Sequence, residues 1–216
     1  MIRHALTDSL PLFEDNPRPT YLIEAGLVRD GYQLVCGLDE AGRGPLAGPV
    51  VASAVILDPD NIPDGLHDSK QLTAARREVL FELILASSEV AIASVSAAEI
   101  DRTNILIASL EAMRRAAQSL YRQPKFALID GRDVAPGLPC PAKALIKGDA
   151  RSLSISAASI VAKVTRDRIM AAAGDRYPGY GFEFHAGYGT EFHRNAIASL
   201  GPCALHRMTF RPLRID

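Results

Sequence analysis

The sequence has few cysteines: only Cys36, Cys140 and Cys203, widely spaced and with no CxxC pair. An odd, scattered set argues against a disulfide scaffold and against a thiolate zinc site, and reads as three packed thiols in a reducing compartment. Nowhere does an apolar run approach the roughly 18–20 residues of a membrane span. The opening stretch MIRHALTDSLPLFEDNPRPT carries acids and prolines and lacks the apolar centre of a signal peptide. A cytoplasmic protein without membrane contact is therefore expected. Net charge is scarce too, at −1 overall, which argues against a purely electrostatic nucleic-acid binder. Internal repeats and low-complexity segments are also lacking.

What is present fits one folded unit. The chain has 216 residues, 48% of them apolar and 23% charged, which excludes wholesale disorder and allows a sizeable core without metal or disulfide staples. Charge is unevenly spread. Residues 1–142 hold 13 Lys/Arg against 19 Asp/Glu, whereas residues 143–216 hold 11 against 6. Chance asymmetry is one reading; the other is a C-terminal third that faces a polyanion while an acidic site sits elsewhere.

Residues 1–20 show weak periodicity and end in Asn16-Pro17-Arg18-Pro19, which suggests a loosely attached or surface-wrapped extension, followed by a short helix over 21–31. Tyr32–Leu38 reads as a strand ending at Asp39-Glu40, and Pro49–Leu57 (PVVASAVIL) as a second, well-buried one. Asp58–Asp68 is a loop. Thr73–Ser87 has helical spacing, and Val90–Val95 is another strand. Ser96 with Glu99 forms a capping box for a long helix running to about Tyr121. Phe126–Ile129 and Lys143–Ile146 are further strands. Ser156–Ala173 and about Thr190–Leu200 are helices. Strands that cluster first and then alternate with helices predict an α/β sandwich with a mixed sheet.

Acids sit at the carboxyl ends of these strands, where α/β proteins gather their sites: Asp39, Glu40, Asp130 and Asp149. Each alone could be solvated or cap a helix. Four together repel one another, and the usual remedy is a hard divalent cation that prefers oxygen ligands, Mg²⁺ or Mn²⁺. Neither Cys nor paired His accompanies them, which disfavours zinc. Adjacent side chains on a regular strand point oppositely, so Asp39 and Glu40 share an ion only if the strand bends into the turn Gly42-Arg43-Gly44. Those glycines permit the bend and a close backbone approach to a ligand, with Arg43 placed for phosphate.

The run Gly37-Leu38-Asp39-Glu40-Ala41-Gly42-Arg43-Gly44-Pro45-Leu46-Ala47-Gly48-Pro49-Val50-Val51-Ala52 closely resembles the signature of the bacterial ribonuclease HII family. Further matches follow in the family's order: Asp68-Ser69-Lys70-Gln71-Leu72, Leu128-Ile129-Asp130-Gly131 and Lys147-Gly148-Asp149. After these come the stretch from Ser156 to Asp167, His185-Ala186-Gly187-Tyr188-Gly189-Thr190 and His206-Arg207-Met208-Thr209-Phe210. The likeness spans roughly residues 32–212, and the Gly-Arg-Gly turn favours type HII over the related HIII.

The resemblance implies a ribonuclease H-like fold, a five-stranded mixed sheet flanked by helices, with a C-terminal helical segment. Residues 32–212 would form the catalytic domain and 1–31 an extension of unassigned function. The implied activity is hydrolysis of the RNA strand of RNA–DNA hybrids and nicking of DNA 5′ of embedded ribonucleotides, leaving 5′-phosphate and 3′-hydroxyl ends. Its partners would be the hybrid duplex and ribonucleotide-containing DNA, and the protein a monomer. The cofactor would be Mg²⁺ or Mn²⁺ in a two-metal site, which activates water and stabilises the leaving oxygen. Asp39 would bridge the metals, Glu40 and Asp130 hold the water-activating one, and Asp149 complete the second. The backbone of Gly42, Arg43 and Gly44 together with Tyr188 would read the 2′-hydroxyl, and Ser69 and Lys70 would contact phosphate.

Simpler roles stand beside these: Tyr188 as a half-buried aromatic, Ser69 as a helix start, Lys70 as a solvated cation. Lys163 and Arg166 fall on the polar side of their helix, as solvated face or duplex contacts. His185, His193 and His206 have no acid partner in the sequence and read as structural, unless His206-Arg207 touches nucleic acid. No clamp-binding peptide stands out over Arg211–Asp216. Two other functions compete, a non-catalytic nucleic-acid-binding module and a different metal nuclease of the same fold. The four intact acids argue against the first, and the Gly-Arg-Gly turn with Tyr188 against the second.

Overall fold

A computed structural model describes residues 18–214. Five strands form one mixed sheet in the order β3-β2-β1-β4-β5: β1 Val35–Ala41, β2 Val50–Leu57, β3 Ser88–Val95, β4 Phe126–Asp130 and β5 Ala142–Leu145. β1 pairs antiparallel with β2, and β2 with β3, while β1–β4 and β4–β5 are parallel. All eight residues of β2 are buried. That explains its unbroken apolar run: a strand covered on both faces has no solvent side to mark with polar residues. Among the described residues, no helix is long and apolar enough to cross a membrane.

The helices are α1 Leu22–Arg29, α2 Ala74–Ser87, α3 Ala97–Arg102, α4 Ile105–Gln118, α5 Leu153–Arg176, α6 Phe182–His185 and α7 Glu191–Leu200. On one sheet face Ala112, Met113 and Ala116 of α4 pack against Cys36, Leu38, Ala52, Ala54 and Ile129. On the other, Leu80 and Ile84 of α2 join Ile160, Val161 and Val164 of α5 over Val55 and Leu57. Each such buried Leu or Ile contributes about 1.5–3 kcal/mol. α6 and α7 close a smaller cluster in which Phe182 and Ala196 meet Met170 of α5.

One glycine sets how closely α5 lies on the sheet. A Cβ at Gly37 would fall 2.1 Å from the backbone carbon of Ser154, so only glycine lets the start of α5 rest on β1. Asp39 follows two residues later along β1 and is held against this helix.

Three expectations need correction. β1 does not stop before Asp39: its ladder with β2 continues through Asp39↔Ser53, Glu40↔Ala52 and Ala41↔Val51. The long helix after Ser96 is two helices. Ser96 and Glu99 form the expected capping box, but α3 ends at Arg102. Asn104 is extended there, and its Oδ1 accepts the Ile107 amide at 2.9 Å. Thr and Asn are weak helix formers, and a new Asn cap satisfies the amides a continuous helix would have used. α5 begins earlier than Ser156, because Ser152 caps it by accepting the Ile155 amide, and it runs past Ala173 to Arg176.

The part of the N-terminal extension that is described, 18–31, is tied into the domain. Thr20 bridges to Ser152, and Ile23 and Leu27 pack against the cluster of Val35, Leu128 and Ile155. Glu24 is fully buried: its Oε1 accepts from the Ser152 hydroxyl at 2.6 Å and from the Ser154 amide at 2.9 Å. A carboxylate there faces the positive end of α5. The rest of the extension, 1–17, lies outside the described residues.

Glu24→Ala is accordingly expected to lower the unfolding free energy by about 2 kcal/mol, the scale of hydrogen bonds to a charged group. Urea unfolding measures it. An unchanged midpoint would mean that 18–31 is a detachable appendage.

Candidate metal centre and nucleic-acid cleft

The site forms where β1 parts from β4. Parallel pairing stops at Leu38↔Ile129, so the next residues, Asp39 and Asp130, flank the opening between the two strands. Asp149 arrives from the neighbouring side on a 3₁₀ turn, Gly148–Ala150, that follows β5. That turn is fastened by the Gly148 amide, which donates to Asp130 Oδ1 at 2.7 Å. Lys147 before it takes a left-handed conformation, φ +53°.

Asp39, Asp130 and Asp149 each offer a carboxylate oxygen within 4.8 Å of the others. Burial raises the pKa of Asp39 well above its ordinary value, and the charges of Glu40 and Asp130 add to the rise. A hydrogen bond from Ser159 and one from the Glu40 amide, at 2.7 Å, work the other way. Asp149 is pushed up to about 6 by burial and then by Asp130 and Asp68. Glu40 is not one of this trio. It ion-pairs with Arg43 at 3.1 Å through Oε1, and burial still raises its pKa. Its Oε2 is buried with no hydrogen-bond partner among the described residues.

These residues fit a hard divalent cation. Three crowded carboxylates and one orphaned buried carboxylate oxygen supply only oxygen donors, with no Cys or His among them. Lys70 offsets part of the charge. Burial opposes its ionisation, yet Asp68, Asp39, Asp149 and Asp130 hold its pKa above the usual lysine value.

A cleft of about 220 Å³ opens beside the acids. Its walls include all six residues expected to meet substrate, Gly42, Arg43, Gly44, Ser69, Lys70 and Tyr188, together with Asp39, Glu40 and Asp130. A larger cleft, about 640 Å³, lies at the far end of the sheet beside Gln33, Asp58 and Arg122, away from this cluster. Gly42 has φ +98°, and a Cβ there would sit 2.0 Å from Arg166 Nε and 2.8 Å from the Pro49 oxygen. Tyr188 is 46% exposed and faces Gly44, whose added Cβ would be 3.8 Å from its ring. No hydrogen bond engages the Tyr188 hydroxyl among the described residues. The Ser69 hydroxyl, by contrast, is occupied in a buried pair with Ser159 at 2.8 Å.

One arginine differs from expectation, and a second proves structural. Arg166 is not on a solvated face but 1% exposed, and Arg207 is fully buried, so neither its side chain nor buried His206 offers a surface to nucleic acid. Both guanidiniums bond backbone carbonyls instead. In sequence an arginine looks solvent-bound, and nothing local marks the carbonyls it will meet. Ser159 carries its own signal in its spacing: Lys163 lies four residues on and Arg166 seven, which puts all three on one stripe of α5 bordering the cleft.

The histidines are structural, as the sequence suggests, and they hold the Tyr188 loop. His193 Nδ1 lies 2.9 Å from the backbone carbonyl oxygen of Tyr188 and its Nε2 3.1 Å from His206 Nε2. His206 Nδ1 accepts the Cys203 amide at 2.9 Å. One proton assignment satisfies all of these: His193 donates from Nδ1 to Tyr188, and His206 donates from Nε2 to His193. Both rings are then neutral, and burial lowers both pKa values, that of His193 to about 4.

Comparison with known proteins points to one family and one fold. The family model for ribonuclease HII matches residues 36–212. A ribonuclease HII of Sinorhizobium fredii is 63% identical over 215 residues, 99% of this chain and 93% of the relative. The crystal structure of ribonuclease H2 from Pyrococcus horikoshii superposes with a TM-score of 0.72 at 32% identity, covering 84% of this chain and 95% of that one. A structure of the PCNA:RNase HII complex from Archaeoglobus fulgidus gives a TM-score of 0.66 at 29% identity, over 85% and 97% of the two chains.

Two outcomes follow from the charges. With divalent ions chelated, Asp149→Asn removes one of three mutually repelling carboxylates. Its melting temperature should rise by about 2–4 °C, the shift that about 1 kcal/mol gives in a chain of this size. A fall would contradict the crowding. For the histidines, the folded state holds fewer protons than the unfolded one, so their contribution is complete above about pH 6.5 and is lost as pH falls toward about 4. His193→Asn, which keeps a donor but does not titrate, should flatten the decline in urea midpoint between pH 7 and 4.5. An equally steep decline would remove His193 from the account.

Proposed function

The chain belongs to the ribonuclease HII family, a ribonuclease H that hydrolyses the RNA strand of RNA–DNA hybrids, and we propose that it also nicks duplex DNA on the 5′ side of single embedded ribonucleotides by two-metal-ion catalysis. The observation that carries this reading is the meeting, in one cleft, of an acid cluster with a glycine turn and an exposed tyrosine. The acids suit phosphodiester hydrolysis; the turn and Tyr188 suit inspection of one sugar.

Asp39, Asp130, Asp149 and Glu40 would hold Mg²⁺ or Mn²⁺, with Asp39 central because it touches both the trio and Glu40's field. Ions held there would supply an activated water and charge stabilisation for the leaving 3′ oxygen, which would leave 5′-phosphate and 3′-hydroxyl ends. The chain's own groups do the rest. Asp39 is held in place by Ser159 and the Glu40 amide. Lys70, beside the acids and exposed, and Arg43, half-exposed at the turn, face the cleft as phosphate contacts that draw a backbone toward a site its own carboxylates would otherwise repel. The Tyr188 hydroxyl, which has no hydrogen-bond partner among the described residues, would bond the 2′-hydroxyl, the group that separates ribose from deoxyribose at one position. Its ring, which faces Gly44 of the turn, would stack on the neighbouring sugar.

A labelled duplex with one ribonucleotide tests the reading. Cleavage should require Mg²⁺ or Mn²⁺ and stop with EDTA. Asp39→Asn should nearly abolish cleavage while binding holds or tightens, because charge repulsion with phosphate is reduced. Tyr188→Phe should lose about 5- to 150-fold, the span of one hydrogen bond worth ~1–3 kcal/mol, and Tyr188→Ala more. A non-catalytic binding module would bind the duplex and cut nothing, and an Asp39→Asn variant at wild-type rate would sink the metal assignment.

A further inference from the structure

Arg166 and Arg207 are buried cations with no acid partner: neither forms an ion pair among the described residues, and they are 1% and 0% exposed. A buried charge is costly unless its donors are met. Here backbone carbonyls meet them. Arg207 donates to the Gly42 oxygen at 2.6 Å, to the Arg43 oxygen at 3.0 Å and, from two nitrogens, to the Gly48 oxygen at 3.0 and 2.9 Å. Arg166 donates to the Pro49 oxygen at 3.0 Å, to the Ala47 oxygen at 3.1 Å and to the Ala186 oxygen at 3.0 Å.

Two consequences follow. The carbonyls of Gly42 and Arg43 turn inward to Arg207, while no hydrogen bond engages the amides of Arg43 and Gly44 among the described residues. The turn thus keeps two of its acceptors, the Gly42 and Arg43 carbonyls, occupied and two of its donors, the Arg43 and Gly44 amides, free. Arg166, meanwhile, bonds both the chain after the turn and Ala186, two residues before Tyr188. Ala186 has φ +47°, a left-handed conformation that an alanine keeps only where its surroundings enforce it. The Leu46 amide, donating to the Gly187 oxygen at 2.8 Å, closes a second link between the same two loops.

We propose that Arg166 and Arg207 are positioning residues for ribose recognition: without touching substrate, they fix the spacing between the free amides of the glycine turn and the Tyr188 hydroxyl, and so set the selectivity for a 2′-hydroxyl. The proposal rests on the reading above that the turn and Tyr188 inspect the sugar. Lysine does not replace either arginine, because an ammonium lacks the planar fork that reaches several carbonyls at fixed angles.

The test uses the full chain with Mn²⁺ and two duplexes that differ only in one sugar, 2′-hydroxyl or 2′-fluoro. Wild type must cut at the ribonucleotide; failure there defeats the functional reading, not this inference. In Arg166→Lys and Arg207→Lys the ratio of the two cleavage rates should fall about 10-fold, the scale of one misplaced hydrogen bond, through kcat with KM for the duplex little changed. Met113→Ala, a cavity variant on the opposite face of the sheet, serves as the control: it should lose melting temperature yet keep the wild-type ratio below its melting point. Should one lysine variant fail to fold, the other carries the test, since each arginine alone holds one side of the turn. A wild-type ratio in a folded lysine variant, or an equal loss in Met113→Ala, would overturn the proposal.

Discussion

Three carboxylates within 4.8 Å of one another repel, and most of this molecule's architecture around the site is what it takes to keep them there. Asp39 and Asp130 come together because β1 and β4 are parallel and stop pairing at Leu38 and Ile129. Parallel strands carry their carboxyl ends to the same edge of the sheet, which an antiparallel pair would not do. Asp149 is added by a turn whose first amide is spent on Asp130. Hydrophobic burial on both sheet faces supplies the stability against which this crowding is held, and a cation of high charge density is the group whose binding relieves it.

The second requirement is a rigid wall opposite the acids, and α5 provides much of it. Its start rests on Gly37, which fixes its height above β1. Ser159 then supports Asp39, Lys163 borders the cleft, and Arg166 bonds the chain that follows the glycine turn. One helix thereby sets the distance between the carboxylates and the turn. The small residues at its start, Ser154, Ser156, Ala157 and Ala158, are buried, and their size is what allows so close an approach. Glu24 anchors the same end from the N-terminal side, so residues that precede the family match contribute to the placement of the catalytic layer.

Much of this was legible in the sequence, for definite reasons. Strands ending in acids, the apolar run of β2 and the capping box at Ser96 are local patterns, and each states its own physics. The glycine turn and Tyr188 were legible through resemblance, and they line one cleft with the acids. What escaped was decided by tertiary contact. Arg166 looks like a solvent-facing charge until the carbonyls it satisfies are known. Glu24 looks like any acid in a short helix until Ser152, more than a hundred residues away, meets it. The break at Thr103-Asn104 lies in weak helix formers, but the apolar spacing on either side masks it; Glu40, next to Asp39, stands outside the trio and pairs with Arg43 while lining the same cleft.

The central claim is that this arrangement exists to hold hard cations. Anomalous scattering from crystals grown with Mn²⁺ measures it directly. The expected result is manganese density contacted by Asp39, Asp130 and Asp149, absent in Asp39→Asn. Ordered carboxylates with no manganese between them, at millimolar Mn²⁺ and neutral pH, would contradict it.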